Sequence, residues 1–297
     1  MHDTFFFTDL HGQKDLFHAM YNWCLRQDPE CTIIYGGDAA DRGEHGYEII
    51  KELLTLPQVV YIYGNHEDLF IKAADELLGQ YAANDELYHK IHHIDSVEKA
   101  TNIIRDAHGW NIALHLQNGG FPTLRDWLLD GANEDIIDQL RDLPRTVRSE
   151  VVDFCHAGGT YDSFMEVNKA EYYGKPIDHW AEKTCIWDRH ALALGWETKR
   201  FCVFGHTPTF TLSAGLYGSR DKSERMAHPA AWQDHMGAKH KRGGWKIDMD
   251  TGATWTGRAY VLNVLTMHVT GFYDPHIPFG KDFDGDIQEE FENYKII

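Results

Sequence analysis

Apolar and polar positions divide residues 1–67 into three short strands with a helix after each of the first two. The segments 4–8, 32–37 and 59–63 are apolar runs that end in glycine or polar residues, as is typical of buried strands. Two helical patterns lie between them, at Leu16, Ala19, Met20, Trp23, Cys24 and at Tyr47, Ile50, Leu53, Leu54. This β-α-β-α-β order predicts neighbouring parallel strands joined by crossover helices.

The pattern between residues 68 and 148 is helical. Apolar residues recur there at the spacing of several amphipathic helices, and Gly119-Gly120-Phe121-Pro122 interrupts them. We therefore predict a mostly helical insertion at 68–148 within a single α/β domain that spans 1–297. The pair His92-His93 lies in this insertion, and a histidine pair on a helix more often packs in the core or on the surface than binds a metal.

Strand patterns return in the second half of the chain. Apolar runs at 151–155, 201–204 and 245–249 predict three further strands, each followed by a polar loop. The segments 259–265 and 267–272 predict a closing hairpin.

Two polar segments interrupt or follow these strands. The stretch 213–244 is a surface loop or a loop that faces the substrate, and both alternatives stay open. The segment 281–297 is acidic and is expected to be a solvated tail. Within the tail, the run at 282–286 resembles a calcium loop superficially, but its glycine is misplaced.

Charge excludes several classes of partner. The chain of 297 residues is 43% hydrophobic and carries a formal net charge of −18. Such a negative field disfavours stable binding to nucleic acid or to anionic membranes. A phosphate-bearing substrate would therefore need local cations, which metal ions and a few arginines could supply.

The cysteines indicate a reducing compartment. The five of them form no C-x-x-C pair, and most lie in apolar runs: Cys24, Cys31, Cys155, Cys185, Cys202. We therefore expect free, buried thiols. With no visible signal peptide and no apolar run of membrane length, the expected location is cytoplasmic. The oligomeric state stays open.

Candidate metal ligands follow five of the predicted strands, at Asp9 and His11, Asp38, Asn65, His156 and His206. A fold has no structural need for so many ionisable groups there, because burying unpaired charge is costly. Ligands bind outside the carboxyl ends of strands in open α/β sheets, so one site could collect these loops. Carboxylate, imidazole and amide oxygen together suit a divalent metal such as Mn²⁺, Fe or Zn²⁺.

These residues resemble the signature of the calcineurin-like metallophosphoesterases. Its motifs are Asp9-Leu10-His11, Gly37-Asp38-x-x-Asp41-Arg42-Gly43, Gly64-Asn65-His66-Glu67, His156, Gly205-His206-Thr207 and Asp250-Thr251-Gly252-Ala253. Their order and spacing are most similar to the serine/threonine phosphoprotein phosphatases of the bacteriophage-lambda type. The resemblance implies a calcineurin-like metallophosphoesterase fold, in which helices flank a central β-sandwich.

The same resemblance implies a role for each site residue. Asp9, His11 and Asp38 would hold one divalent ion, and Asp38, Asn65, His156 and His206 a second, with Mn²⁺ as the expected metal and Fe or Zn²⁺ as alternatives. His66 would be the general acid, and Asp41 would orient it. The phosphate would bind to Arg42, Asn65 and Arg189, the last within a short Trp187-Asp188-Arg189 motif. Asp250 is expected to brace the histidine loops, and Glu67 to begin the next helix.

Three functions are weighed on this basis. The first is hydrolysis of phosphate monoesters, above all phosphoserine and phosphothreonine, by attack of a metal-bridging hydroxide, with a phosphorylated protein or a small phosphoester as substrate. The second is hydrolysis of dinucleoside polyphosphates or cyclic nucleotides. The third, an inactive binding module, ranks low because all the expected ligands are present. Tyr63 stands where the resembling phosphatases carry an arginine, and it could be a packed strand residue or could offer its hydroxyl to the substrate.

Overall fold

Two β-sheets carry the fold. The computed structural model describes residues 2–82, 85–159, 161–189, 200–212, 228–233, 245–277 and 288–295. The first sheet has six strands in the order β11 (Gln288–Lys295), β10 (His268–Tyr273), β9 (Arg258–Asn263), β1 (Thr4–Phe7), β2 (Thr32–Tyr35) and β3 (Val59–Tyr61). The second has five in the order β4 (Thr146–Arg148), β5 (Val152–Cys155), β6 (Phe201–Phe204), β8 (Trp245–Asp248) and β7 (Ala230–Gln233).

Strand direction brings the polar loops to shared edges. Strands β1, β2 and β3 are parallel neighbours, as predicted, and so are β5, β6 and β8 in the second sheet. The predicted hairpin is present, since β9 and β10 pair antiparallel. Because parallel strands end at the same edge of a sheet, the loops after β1, β2 and β3 meet there.

The sheets pack face to face, which confirms the central sandwich. Phe6 and Ile34 of the first sheet share a core with Phe154, Val203 and Ile247 of the second. The rings of Phe6 and Phe154 stack with centroids 5.7 Å apart. The strands are apolar at successive positions because their opposite faces are also covered, by helices that bury the side chains adjacent to Phe6.

Much of the remaining described core comes from helices. They are α1 (Lys14–Gln27), α2 (Gly46–Thr55), α3 (Asn65–Ala82), α4 (Asp85–Ile91), α5 (Val97–Asp106), α6 (Trp110–Gln117), α7 (Phe121–Leu129), α8 (Glu134–Arg141), α9 (Tyr161–Tyr173), α10 (His179–Ile186) and α11 (Ala253–Thr256). Helices α3 to α8 cover most of 68–148, so this segment is mostly helical as predicted, although α3 begins at Asn65 and β4 lies at its end. Side-chain caps begin two of them, since Ser96 accepts from the N–H of Lys99 and Asn133 from that of Asp135.

Two segments predicted to be irregular contain strands. Strand β7 lies within 213–244 and pairs antiparallel with β8, and residues 213–227 and 234–244 lie outside the described residues. Strand β11 lies within the tail 281–297 and pairs with β10, so the expectation of a solvated tail was wrong for 288–295. Open sheet edges offer unpaired N–H and C=O groups, and an added strand satisfies them even where its sequence is acidic. The run at 282–286 is outside the described residues.

All five cysteines are free and buried, as the sequence predicts. Among the residues that the structure describes, no helix combines the length and the apolar character needed to cross a membrane.

Candidate metal centre

Unusual backbone conformations mark the loops at the sheet edges. In the described part of the chain, eight residues other than glycine have positive φ, and six of them are predicted site residues: Asp9, His11, Asp38, Asp41, Arg42 and His206. A left-handed conformation disfavours L-residues and persists where surrounding structure enforces it. The strained positions therefore coincide with the candidate site.

Backbone hydrogen bonds hold the first two loops side by side. The N–H of Asp9 donates to the carbonyl of Gly37 (3.1 Å), and the N–H of His11 donates to that of Asp38 (3.0 Å). Gly64 closes the third loop onto them, and a Cβ there would lie 2.4 Å from Asp38 Oδ1. The absence of a side chain at Gly64 therefore lets the Asp38 carboxylate enter the centre.

Two groups of potential metal ligands share Asp38. One consists of His11, Asp38 and His66, and the other of Asp38, His156 and His206. Within each group the ligand atoms lie within 4.8 Å of one another, and all of these side chains are buried. The shared carboxylate is the arrangement expected of an anion that bridges two cations.

Each of three histidines has one ring nitrogen on a backbone carbonyl. His11 Nδ1 lies 2.8 Å from the Ala40 oxygen, His156 Nδ1 lies 2.8 Å from the Gly36 oxygen, and His206 Nε2 lies 3.1 Å from the Trp187 oxygen. A carbonyl only accepts, so these nitrogens carry the proton. The second nitrogen of each ring faces the cluster, as metal-binding imidazoles do.

Asn65 contributes an amide oxygen to the second group. It is the first residue of α3, and its Oδ1 lies 2.9 Å from His156 Nε2 and 2.7 Å from His206 Nδ1. Asp38 Oδ1 lies 3.2 Å from the same His156 nitrogen. This set of imidazole, carboxylate and amide donors fits a divalent ion, and the assignment of each ligand stays a prediction.

Asp9 lies beside these groups rather than within them. Its carboxylate accepts from the Thr8 hydroxyl (2.6 Å) and from the backbone N–H of His206 (3.0 Å). Burial and the nearby Asp250 carboxylate raise its pKa well above the usual value. The group on this side consists of His11, Asp38 and His66, so the role of Asp9 as a metal ligand stays a prediction.

Charges inside the centre compensate one another. Burial favours a raised pKa for Asp38, but His156 and His66 outweigh it and hold the pKa well below the usual range. Burial likewise favours a lowered pKa for His156, yet Asp38 and Asp9 raise it to about 10. The centre thus has negative charge that attracts a cation, whether a proton or a metal.

His66 differs from the other histidines in its partner. Its Nδ1 lies 2.7 Å from Asp41 Oδ2, and both side chains are buried. Its Nε2 lies 3.0 Å from an Arg42 guanidinium nitrogen and 3.8 Å from Asp38 Oδ2. A carboxylate partner fixes the orientation and tautomer of an imidazole, which suits proton transfer at the other nitrogen.

The two predicted phosphate-binding arginines lie near the centre. The Arg42 guanidinium contacts both His11 and His66 and lies 4.8 Å from the ring centroid of Trp255. Arg189 is exposed. The pKa of His206 is lowered first by burial, then by the charge of His156, and then by the charge of Arg189.

Asp250 and Tyr63 have structural contacts. The backbone oxygen of Asp250 accepts from the N–H of Thr209, in the loop that carries His206, which agrees with the expected bracing role. The Tyr63 hydroxyl donates to Asp68 (3.1 Å), and the Arg145 guanidinium lies 3.9 Å from its ring centroid. Tyr63 is therefore a packed residue, as in the first of its two interpretations, but it lies two residues beyond the end of β3 rather than within the strand.

Sequence reasoning missed the role of Glu67 as a hydrogen-bond acceptor for the loops, and it missed Trp255 and His115 altogether. The Glu67 carboxylate accepts hydrogen bonds from the loops after β2 and β3, Trp255 lies under Arg42, and His115 of α6 lies 2.8 Å from Asp41. Trp255 lies two residues after the Asp250-Thr251-Gly252-Ala253 motif, and this position could have identified it as a candidate site residue. His115 lies in a helical pattern without a motif, so the sequence carried no signal for it.

Comparison with known families decides the classification. The family model described as calcineurin-like phosphoesterase matches residues 3–263. The chain belongs to the calcineurin-like phosphoesterases. Members of this family are metal-dependent hydrolases, so the phosphoesterase activity and the divalent metals inferred from the motifs agree with the assignment. Comparison with curated protein sequences finds no significant match.

Solved structures of other phosphoesterases are similar to this one only distantly. A metallophosphoesterase from Sphaerobacter thermophilus is 14% identical, with 91% of this chain and 86% of the other covered and a TM-score of 0.47. A putative diadenosine tetraphosphatase is 15% identical (88% and 88% covered, TM-score 0.42). A protein serine/threonine phosphatase from Saccharomyces cerevisiae is 12% identical (97% and 79% covered, TM-score 0.40). These likenesses do not indicate a substrate.

Proposed function

We propose that this phosphoesterase hydrolyses phosphate monoesters, with phosphoserine and phosphothreonine as its main substrates and Mn²⁺ as its metal. The observation that carries the proposal is the His66–Asp41 pair, whose other imidazole nitrogen, His66 Nε2, lies 3.8 Å from Asp38 Oδ2 and 3.0 Å from an Arg42 guanidinium nitrogen. Cleavage of an alkyl phosphate releases a poor leaving group, which needs a proton as the P–O bond breaks. A buried imidazole oriented by a carboxylate is suited to supply it.

The residues of the site have separate roles in this reaction. Arg42 and Arg189 bind the phosphate oxygens and offset their charge. Once Arg42 turns from His66 Nε2 to the phosphate, His66 can be protonated on both ring nitrogens. It would then give the Nε2 proton to the leaving oxygen, while its Nδ1–H keeps donating to Asp41. Two divalent ions, when bound, supply water activation and stabilise the developing charge. Asp38, Asn65, His11, His156 and His206 would hold them, together with Asp9.

One observation favours the second candidate function, hydrolysis of dinucleoside polyphosphates. The Trp255 side chain is 42% exposed beside Arg42, and the ring of Phe210 lies 6.0 Å from it, edge-on. An exposed aromatic ring near a phosphate-binding group can stack on a nucleobase. Substitution of Trp255 by Ala separates the two candidates, because it would weaken nucleotide binding and spare a phosphopeptide.

The test measures phosphate release by Mn²⁺-loaded protein from a phosphothreonine peptide and from diadenosine tetraphosphate. We expect faster turnover of the peptide. His66→Asn should lower kcat for the peptide by roughly 10²–10⁴-fold, the usual contribution of a general acid, without loss of bound metal. His92→Asn serves as control, since His92 contacts Gly131 away from the centre. Full peptide activity in His66→Asn would refute the assignment, and faster nucleotide turnover that Trp255→Ala abolishes would favour the second candidate.

A further inference from the structure

His115 lies on the far side of Asp41 from the general acid. It is fully buried in α6, and its Nε2 lies 2.8 Å from Asp41 Oδ1. Asp41 Oδ2 is the atom that contacts His66 Nδ1 at 2.7 Å. Each carboxylate oxygen of Asp41 is therefore held by a different imidazole.

The proton on His115 can be assigned from its partners. Within the described residues its Nδ1 is buried without a hydrogen-bond partner, whereas Nε2 faces a carboxylate. Because a carboxylate accepts, Nε2 carries the proton and donates it to Asp41. Leaving a buried polar atom unpartnered destabilises the folded state, a cost that an apolar side chain would avoid. Packing alone, against Phe70 with ring centroids 5.8 Å apart, therefore does not account for a histidine here.

The segment 115–123 of the insertion also contacts the turn that carries the site residues. The Asp41 N–H donates to the Thr123 hydroxyl (2.9 Å), and the Arg42 N–H donates to the Gly119 carbonyl (2.9 Å). Asp41 and Arg42 both have positive φ, at 69° and 64°. Three hydrogen bonds from one short segment thus hold a turn whose backbone is unfavourable on its own.

We propose that His115 is a positioning residue for the general acid, through which the helical insertion orients the His66–Asp41 pair. The proposal rests on the proposed function of His66. With both oxygens held, the Asp41 carboxylate cannot rotate about its terminal bond, so the plane of the His66 ring is fixed. Proton delivery to the leaving oxygen depends on that orientation, whereas metal and phosphate binding do not.

The experiment compares two substitutions of similar length. His115→Gln keeps a donor near the position of Nε2, and His115→Met removes it. Each variant is assayed, with metal content measured, on an alkyl phosphate such as a phosphothreonine peptide and on p-nitrophenyl phosphate, whose leaving group departs as a stable anion without a proton. His92→Met is the control for loss of a histidine from the insertion, because the ring of His92 also has one hydrogen-bonded nitrogen and one without a hydrogen-bond partner.

We expect His115→Met to lower kcat for the peptide roughly 10–100-fold, the usual effect of losing such an outer partner, with KM and bound metal unchanged. Its kcat for p-nitrophenyl phosphate should stay within about threefold, and His115→Gln should recover most of the peptide activity. Equal losses on both substrates, full peptide activity in His115→Met, or no recovery in His115→Gln would overturn the proposal. His66→Asn separates this from failure of the proposed function: if that variant shows no dependence on the leaving group, the acid assignment itself is wrong.

Discussion

At the scale of single residues, Glu67 stabilises the loops that carry the metal ligands. Its carboxylate accepts from the backbone N–H groups of Asp38 (2.8 Å), Ala39 (2.9 Å), Ala40 (3.3 Å) and Gly64 (3.0 Å). The hydroxyl of Tyr61 also donates to it, at 2.8 Å. The expected position in the first turn of a helix is correct, but interaction with the helix dipole is a small part of this role.

Substitution of Glu67 by Gln tests this network. The amide group places a donor where backbone N–H groups already point, so at least one buried donor loses its partner. We expect the free energy of unfolding, measured by urea titration, to fall by about 1–3 kcal/mol. Glu98→Gln is the matched control, because Glu98 is also in the first turn of a helix but is exposed, and it should change stability by less than about 0.5 kcal/mol. Equal effects of the two substitutions would contradict the network.

At the scale of elements, local pattern predicted eight of the eleven strands in the described residues and the helical character of 68–148, but it missed β4, β7 and β11. The runs at β1, β2 and β3 are apolar throughout because both faces of each strand are covered, and that pattern is visible in the sequence. The candidate ligands were also predictable, since each directly follows a strand. Long-range contacts could not be predicted from local pattern. His115 is 74 residues from Asp41, and its place depends on how α6 packs, which no local pattern records.

Strand β11 also could not be predicted from local pattern. Its residues, Gln288–Lys295, are mostly acidic or polar, so their composition indicates a solvated segment. Pairing with β10 depends on an edge that forms only after the sheet has assembled. Tertiary context therefore outweighs composition for this segment.

The turn between α6 and α7 provides a prediction at this scale. A Cβ on Gly120 would lie 2.2 Å from His115 Nε2, although the φ of Gly120 is −77° and suits any residue. Gly120→Ala should therefore displace the imidazole and lower kcat for the peptide by roughly 10-fold or more, as loss of an outer hydrogen bond does. The same substitution should affect p-nitrophenyl phosphate much less.

Gly79→Ala is the control for this substitution. Gly79 lies inside α3, and a Cβ there would meet nothing within 4 Å. Alanine is the better helix former, so Gly79→Ala should raise the free energy of unfolding by about 0.5–1 kcal/mol and leave kcat unchanged. A Gly120→Ala protein with full peptide activity would show that His115 tolerates displacement.

At the scale of the whole molecule, negative charge is concentrated where the metal would bind. The chain has a net charge of −18, and Asp9, Asp38 and Asp250 lie buried close to one another. Burial raises the pKa of Asp250 to about 6, although Arg42 acts against it. Such a cluster opposes folding unless cations compensate it, and the histidines of the centre do so only in part.

Metal removal should therefore lower the stability of the protein as well as its activity. Ions that bind only the folded state stabilise it by about 2.7 kcal/mol when their concentration is 100 times the Kd. We expect a chelator to lower Tm by several degrees, and Mn²⁺ to restore it. Asp38→Asn should abolish this response to metal. Asp153→Asn is the matched control: Asp153 is equally buried but is paired with Arg148 and Arg200, so this variant should be less stable and still respond to Mn²⁺. If Tm is the same with chelator, Mn²⁺, Fe²⁺ and Zn²⁺, the cluster does not bind metal in the folded protein.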